Sequence, residues 1–184
     1  IDKQLPAMAG MGGGSSDAAT TLLALNRLWS LNWSRQRLAQ LGLQLGADVP
    51  FFLLGRHAWV EGIGEQLTPL GLPAAKFLVA KPDAGLATPL IFSDPQLKRD
   101  SFPATISGFA ANPFGFGRND LQPVAEKLCP EMVQALKWLE SLGLHGRMTG
   151  SGSAVFALAP DEFGVPSAQA ALKFRLCSNL AAHP

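Results

Sequence analysis

The chain has 184 residues, 47% of them apolar, enough to bury a core as one ample domain or two small ones. With 15 Lys and Arg against 14 Asp and Glu the formal charge is +1, which excludes a basic field able to gather nucleic acid or anionic lipid, so any anion must be bound locally. The longest uncharged apolar run, Val49 to Leu54, is far shorter than the roughly 20 residues a membrane helix requires, and no membrane association is expected.

The chain opens at Ile1 without a methionine, and its first recognisable element is already a functional-looking loop, so an upstream segment is expected to be missing. After the loop, Ser15, Ser16 and Asp17 read as a helix start, with hydroxyls to cap it and a carboxylate in the first turn. Ala18, Leu22, Leu25 and Trp29 then recur at helical spacing. A second helix is predicted from Ser34 to Leu45, capped by Ser34, carrying Leu38, Leu41 and Leu45 on one side and stopping at Gly46. From Pro50 the pattern changes to FFLL, HAWVEG and KFLVAKP, short aromatic and branched runs between Gly and Pro, which read as strands. The mixture is α/β in the broad sense, with the α+β arrangement included.

Residues 71 to 75 form a turn-rich patch that marks a domain boundary, with a fresh strand from Lys76. Residues 100 to 117 lack any period and predict a long, mobile surface loop. Helices are predicted at 119 to 128 and 131 to 142, separated by Pro130. The run HGRMTGSGSAVFALAP reads as a turn, a small-residue loop and a strand, before an Ala-rich terminal segment. Cys129 and Cys177 stand far apart without CxxC spacing, which suits a reducing, cytoplasmic compartment and argues against disulfide or zinc. His57, His145 and His183 are equally scattered, so no bound structural metal is expected.

Three constellations carry chemistry. The stretch from Pro6 to Ser16 places Gly12, Gly13 and Gly14 directly before a helix, where bare backbone can approach an anion and the helix dipole adds positive charge; phosphate is the natural ligand. Gly14 is followed by Ser15 rather than lysine, so it is not a Walker loop, and serine in the last position weakens a dinucleotide fingerprint. Asp48, between a helix end and an apolar strand, suits a general base; taken alone, such an Asp is more often a turn former. Thr149 to Ser153 form a second small-residue loop, weak by itself, that makes a nucleotide cleft attractive when paired with the first. Trp29, Trp33, Trp59 and Trp138 read as core or interface residues, since no basic residues interleave with them as base-stacking platforms would require.

In order, PAMAGMGGGSSDAATTLLALNRLW, LGADVPFFLLG, EGIGEQLTPL, TPLIFSDPQL and RMTGSGSAVFAL resemble the GHMP kinase superfamily, specifically the members that phosphorylate a cytidine-diphosphate sugar alcohol. The resemblance covers nearly the whole chain. It implies a two-domain fold, with residues 1–72 as the remainder of an ATP-binding domain and 73–184 as a carboxy-terminal domain. It implies ATP and Mg2+ as cofactors, transfer of phosphate to the substrate's 2-hydroxyl in the non-mevalonate isoprenoid route, and Asp48 as the catalytic aspartate, which raises that residue above its turn-former reading. Pro6, Ala7, Met8, Ala9, Gly10, Met11, Gly12, Gly13, Gly14, Ser15 and Ser16 correspond to the ATP loop, with Lys3 near the nucleotide. Thr88 and Phe92 fall beside the cytidine pocket, and Gly150, Ser151 and Gly152 match the third motif. Two departures stand out: Met8 replaces a usual glycine, and the amino-terminal third with its partner lysine is absent. The alternative they leave open is a nucleotide-binding but catalytically inactive fragment.

Overall fold

The computed structural model describes residues 6–164 and 172–179, in two compact units. The first spans Gly12–Pro73 and holds three helices and a hairpin: α1 (Gly13–Leu28), α2 (Arg35–Leu45), α3 (Val49–Leu54), β1 (Ala58–Glu61) and β2 (Gln66–Pro69). Ser34 caps α2 by accepting from the Arg37 amide at 3.2 Å, as its sequence predicts. Gly46 ends that helix. The α1 start differs from expectation. Gly12 adopts the left-handed conformation (φ 65°) and launches the helix at Gly13, so no side chain caps it and Asp17 falls beyond the first turn, which holds no acidic residue.

The run FFLL, expected as a strand, is helix α3. Proline in its first turn supplies the required φ, and Gly55 closes it in the left-handed region (φ 71°), so local backbone preference overrides an apolar run that has no decisive period. Ala19, Leu38, Val49 and Leu53 form this unit's buried cluster, flanked by Ala18, Leu22 and Trp33. A Cβ on Gly42 would stand 2.7 Å from Val49 Cγ1, so α2 meets α3 at a glycine and the buried stripe of α2 runs through Leu38 and Gly42. Leu45 and Trp29, assigned to core stripes by spacing, are 60% and 61% exposed because both stand at the helix ends, past that contact.

The second unit joins residues 6–11 to Ala74–Asn179. Its elements are β3 (Lys76–Pro82), α4 (Thr88–Ser93), α5 (Ile106–Ala111), α6 (Gln122–Leu128), α7 (Pro130–Ser141), β4 (Arg147–Met148), β5 (Val155–Ala159) and β6 (Leu172–Ser178). The strands form an antiparallel sheet in the order β4-β5-β3-β6. Alternation along β3 and β5 points Leu78, Ala80, Val155 and Ala157 into the core, where Val124, Met132, Leu136 and Leu139 of α6 and α7 cover them. Helices on one face of an antiparallel sheet give the α+β form of the expected class.

Three sequence expectations change here. The stretch 100–117 is not wholly loop: Thr105 caps α5 by accepting from the Gly108 amide at 3.1 Å. The helix expected from residue 119 begins at Gln122, because Asn119 spends its side chain on other backbone groups. The terminal segment supplies β6, paired with β3 from Lys76↔Ser178 to Pro82↔Leu172.

Candidate functional site

Within Gly12–Pro73 the glycine-led start of α1 stands over the start of α3. The first α1 backbone bond runs from the Ser16 amide to the Gly12 carbonyl at 2.9 Å, which leaves the amides of Gly13, Gly14 and Ser15 without an acceptor inside the helix. With no capping side chain and no acid in the first turn, the 16-residue helix does not neutralise its own positive end. Gly14 has nothing within 4 Å of where its Cβ would be, so space is open there.

Two contacts bring this terminus to Asp48. A Cβ on Gly12 would lie 2.8 Å from the Phe52 ring, and one on Gly46 would lie 3.8 Å from Ser15 Oγ. Asp48 sits between Gly46 and Phe52, exposed, at the N-cap position of α3, with no hydrogen bond from its side chain to that helix. The turn-former reading would have spent the carboxylate on its own helix start. Gly64 (φ 129°) in the β1–β2 turn braces the same loop: its Cβ would stand 2.1 Å from the Ala47 carbonyl oxygen. In the run EGIGEQ no neighbouring residue marks Gly64 for this role, since nothing local shows what lies against it.

The first half of the predicted loop lies in the other unit, where its carbonyls face residues 149–154. The Met8 and Ala9 carbonyls accept from the Ser153 and Ala154 amides at 3.4 and 3.3 Å, and Thr149 Oγ1 donates to the Gly10 carbonyl at 3.0 Å. A Cβ on Gly10 (φ 66°) would stand 2.2 Å from the Thr149 oxygen, so glycine there serves backbone contact with the TGSG loop. Gly150 (φ 52°) answers with a hypothetical Cβ 2.7 Å from the Gly10 oxygen, and Gly152 is buried at φ 78°. Ala9 is buried, while Pro6 and Ala7 are exposed and Met11 is half-buried. Met8 holds φ 50°, a region that disfavours a side chain. Lys3 lies outside the described residues.

Thr88 and Phe92, one turn apart on α4, join the same loop: Thr88 Oγ1 is 2.7 Å from Ser151 Oγ, and the Phe92 ring is 52% exposed. Two residues without a predicted role hold this assembly. Asn119 Nδ2 donates to the Met148 and Gly150 carbonyls at 3.1 and 2.7 Å. Lys81, buried, donates to the Pro82 and Ala84 carbonyls, each at 2.6 Å, and the Ala84 carbonyl also accepts from Ser153 Oγ. Desolvation draws the Lys81 ammonium below the ordinary lysine value. The sequence signal was faint in both cases, a polar residue beside a glycine- or proline-rich turn.

Two family models match parts of the chain. The model of the GHMP kinases N terminal domain matches residues 1–56 and that of the GHMP kinases C terminal domain matches residues 104–176. The chain belongs to the GHMP kinase family. It is 65% identical over 184 residues to a 4-diphosphocytidyl-2-C-methyl-D-erythritol kinase of Albidiferax ferrireducens, covering 100% of this chain and 64% of the relative. The enzyme of the same name from Variovorax paradoxus is 57% identical over 202 residues, with 100% of this chain and 68% of the relative covered. A crystal structure of 4-(cytidine 5'-diphospho)-2C-methyl-D-erythritol kinase superposes with a TM-score of 0.69 at 40% identity, over 85% of this chain and 59% of that one. The chain thus spans a little under two thirds of the length of the Albidiferax relative.

Proposed function

We propose that this chain is the part of an ATP-dependent kinase that carries the helix-borne phosphate site, the catalytic aspartate and the carboxy-terminal domain, with residues 1–72 and 73–184 as the two domain portions. The enzyme phosphorylates the 2-hydroxyl of 4-diphosphocytidyl-2-C-methyl-D-erythritol, a step of non-mevalonate isoprenoid synthesis. The observation that carries this reading is the contact of the uncapped α1 terminus with the two residues flanking Asp48, Gly46 and Phe52, within a single compact unit.

In this reading the amides from Gly13 to Ser15 hold the triphosphate tail. The Asp48 carboxylate takes the proton of the acceptor hydroxyl as its oxygen bonds to the γ-phosphorus, and the bond from that phosphorus to the β,γ-bridging oxygen breaks to release ADP. Mg2+ would supply charge neutralisation on the phosphates, with the Ser15 and Ser16 hydroxyls as the residues that would help hold it. On the carboxy-terminal side, the exposed Phe92 ring offers a stacking surface for a pyrimidine and the Thr88 and Ser151 hydroxyls offer polar contacts beside it.

The test uses a protein that supplies both this chain and the portion of the relatives it does not span. Asp48→Asn is expected to lower turnover by about 10²–10⁴ while an ATP analogue still binds. Undiminished turnover removes Asp48 from the chemistry. Binding without turnover in the unsubstituted protein would instead identify a nucleotide-binding module.

A further inference from the structure

The sheet of the second unit has two unlike faces. One is sealed by α6 and α7; the other carries Phe77, Val79, Phe156 and Leu158, alternating with the core residues along β3 and β5. Residues 112–117 rise beside this open face and bring Phe114 to it. Between them lies a cavity of about 490 Å³ lined by Phe77, Phe114, Phe156, Leu158, His145 and Arg147, together with small residues and Asn112.

The walls are aromatic and unsealed. Phe77 meets Phe114 at 5.8 Å between centroids and Phe156 at 6.1 Å, both edge-on, and all three rings are only half-buried. Arg147 places its guanidinium 5.9 Å from the Phe156 centroid and donates to the Phe116 carbonyl at 3.1 Å, which uses one of its five N–H groups. Among the described residues no carboxylate lies within ion-pairing distance of Arg147, and none lines the cavity. Past Gly117, His145 and Arg147 a second cavity of about 470 Å³ mixes Lys98 and Arg118 with Asp120, Glu126 and Glu140. Among the residues lining the first cavity, Arg147 carries the guanidinium that a negative group would meet.

We propose that this cavity binds a small planar aromatic ligand bearing a single anionic group, with its ring against Phe77, Phe114 and Phe156 and its anion on Arg147. The volume falls in the range of about 300–1,000 Å³ that encloses small ligands. Edge-on phenylalanines accept a further ring in the same geometry, and a guanidinium without a carboxylate is matched by an oxyanion. None of the lining residues belongs to the Asp48 site or to the Thr88, Phe92 and Ser151 face, so the inference stands apart from the kinase reading.

The test is a titration of the 15N-labelled chain with 1-naphthyl phosphate, with 2-naphthol and inorganic phosphate as separate arms. Saturable shifts are expected at the Gly115, Gly117 and Phe156 amides and the Arg147 side chain. The naphthol and the inorganic phosphate should each bind about tenfold or more weakly. Phe156→Leu and Arg147→Met should each weaken naphthyl phosphate binding by about tenfold. Phe114→Ala, which lies off the sheet, provides the same reading should a sheet variant lose its dispersed spectrum. The proposal is overturned if shifts centre instead on residues 10–16 and 149–152, if inorganic phosphate matches the naphthyl compound, or if affinity is unchanged in the folded variants.

Discussion

A Cβ on Gly64 would stand 2.1 Å from the carbonyl oxygen of Ala47, so the hairpin turn and the residue before Asp48 meet backbone to backbone. Gly64 is also buried and at φ 129°, where L side chains are strained. The aspartate's position is thus set partly by a glycine 16 positions later in the chain.

Gly64→Ala should destabilise the folded chain by about 1–3 kcal/mol through strain and displacement of the Ala47 carbonyl. On the proposed kinase reading, a protein with this substitution that also supplies the portion of the relatives this chain does not span should lose turnover more than ATP-analogue binding, because the loop that moves is the one carrying Asp48. Gly71→Ala is the control: nothing lies within 4 Å of its added Cβ and its φ is unexceptional. Equal thermal midpoints and turnover for the two variants would refute the bracing role.

Met8 supports a paired prediction. At φ 50° its backbone carries a left-handed penalty of about 1 kcal/mol, while its thioether lies over Gly85, whose added Cβ would be 2.7 Å from Met8 Cε. Met8→Gly should relieve that penalty, offset in part by about 0.5–1 kcal/mol of extra unfolded-chain entropy, and leave stability unchanged or slightly higher. Both variants lose the thioether contact, but Met8→Ala also keeps the strained backbone, so its melting temperature should fall below that of Met8→Gly. The reverse order in a thermal melt would show that unfolded-chain entropy outweighs the left-handed strain.

Asn119 ties residues 148–150 to the segment before α6 through three side-chain hydrogen bonds, counting the Leu121 amide that donates to its Oδ1 at 3.0 Å. Asn119→Ala strips those partners and should cost about 1–3 kcal/mol. Amide exchange at Thr149 to Ser153 should accelerate even where global stability is corrected for. Unchanged exchange in that loop would mean that the contacts to residues 8–10 hold it alone.

The two cysteines should part in reactivity. Burial raises the Cys129 thiol above its ordinary value, whereas Cys177 is only half-buried on β6. Iodoacetamide at mild alkaline pH should label Cys177 readily and Cys129 only on unfolding, as read by mass spectrometry. The native chain keeps a Cys129 proton that the unfolded chain releases. This contribution to stability is therefore whole below the ordinary thiol value and lost as pH rises through the raised one. Replacing Cys129 with Ala should flatten that alkaline decline; an unchanged slope would assign it to other groups.

Much of this was readable from neighbouring residues. The α2 cap at Ser34, its end at Gly46 and the strand from Lys76 follow from local chemistry, because a capping hydroxyl, a glycine and an apolar alternation act within a few residues. The run FFLL escapes sequence reading for the same reason: four apolar residues have no period, and the decision falls to Pro50 and Gly55 at its ends. Trp29 was misplaced because spacing gives the angle of a side chain around a helix but not whether a neighbour reaches that far along it.

By itself, the sequence determined that three consecutive glycines lead into a helix, that one aspartate follows another helix and that a TGSG loop precedes a strand, since each depends on adjacent residues. Tertiary structure alone decided that Met8, Ala9 and Gly10 give their carbonyls to residues 149–154 while Gly12 and Ser15 pack on the residues around Asp48. It also decided that Gly64, Asn119 and Lys81 hold the backbone that presents them. Close backbone approach and hydrogen bonds to carbonyls join residues up to 145 positions apart, as from Met8 to Ser153, and the backbone amide and carbonyl groups involved are the same in every residue, so they leave no mark in the order of side chains.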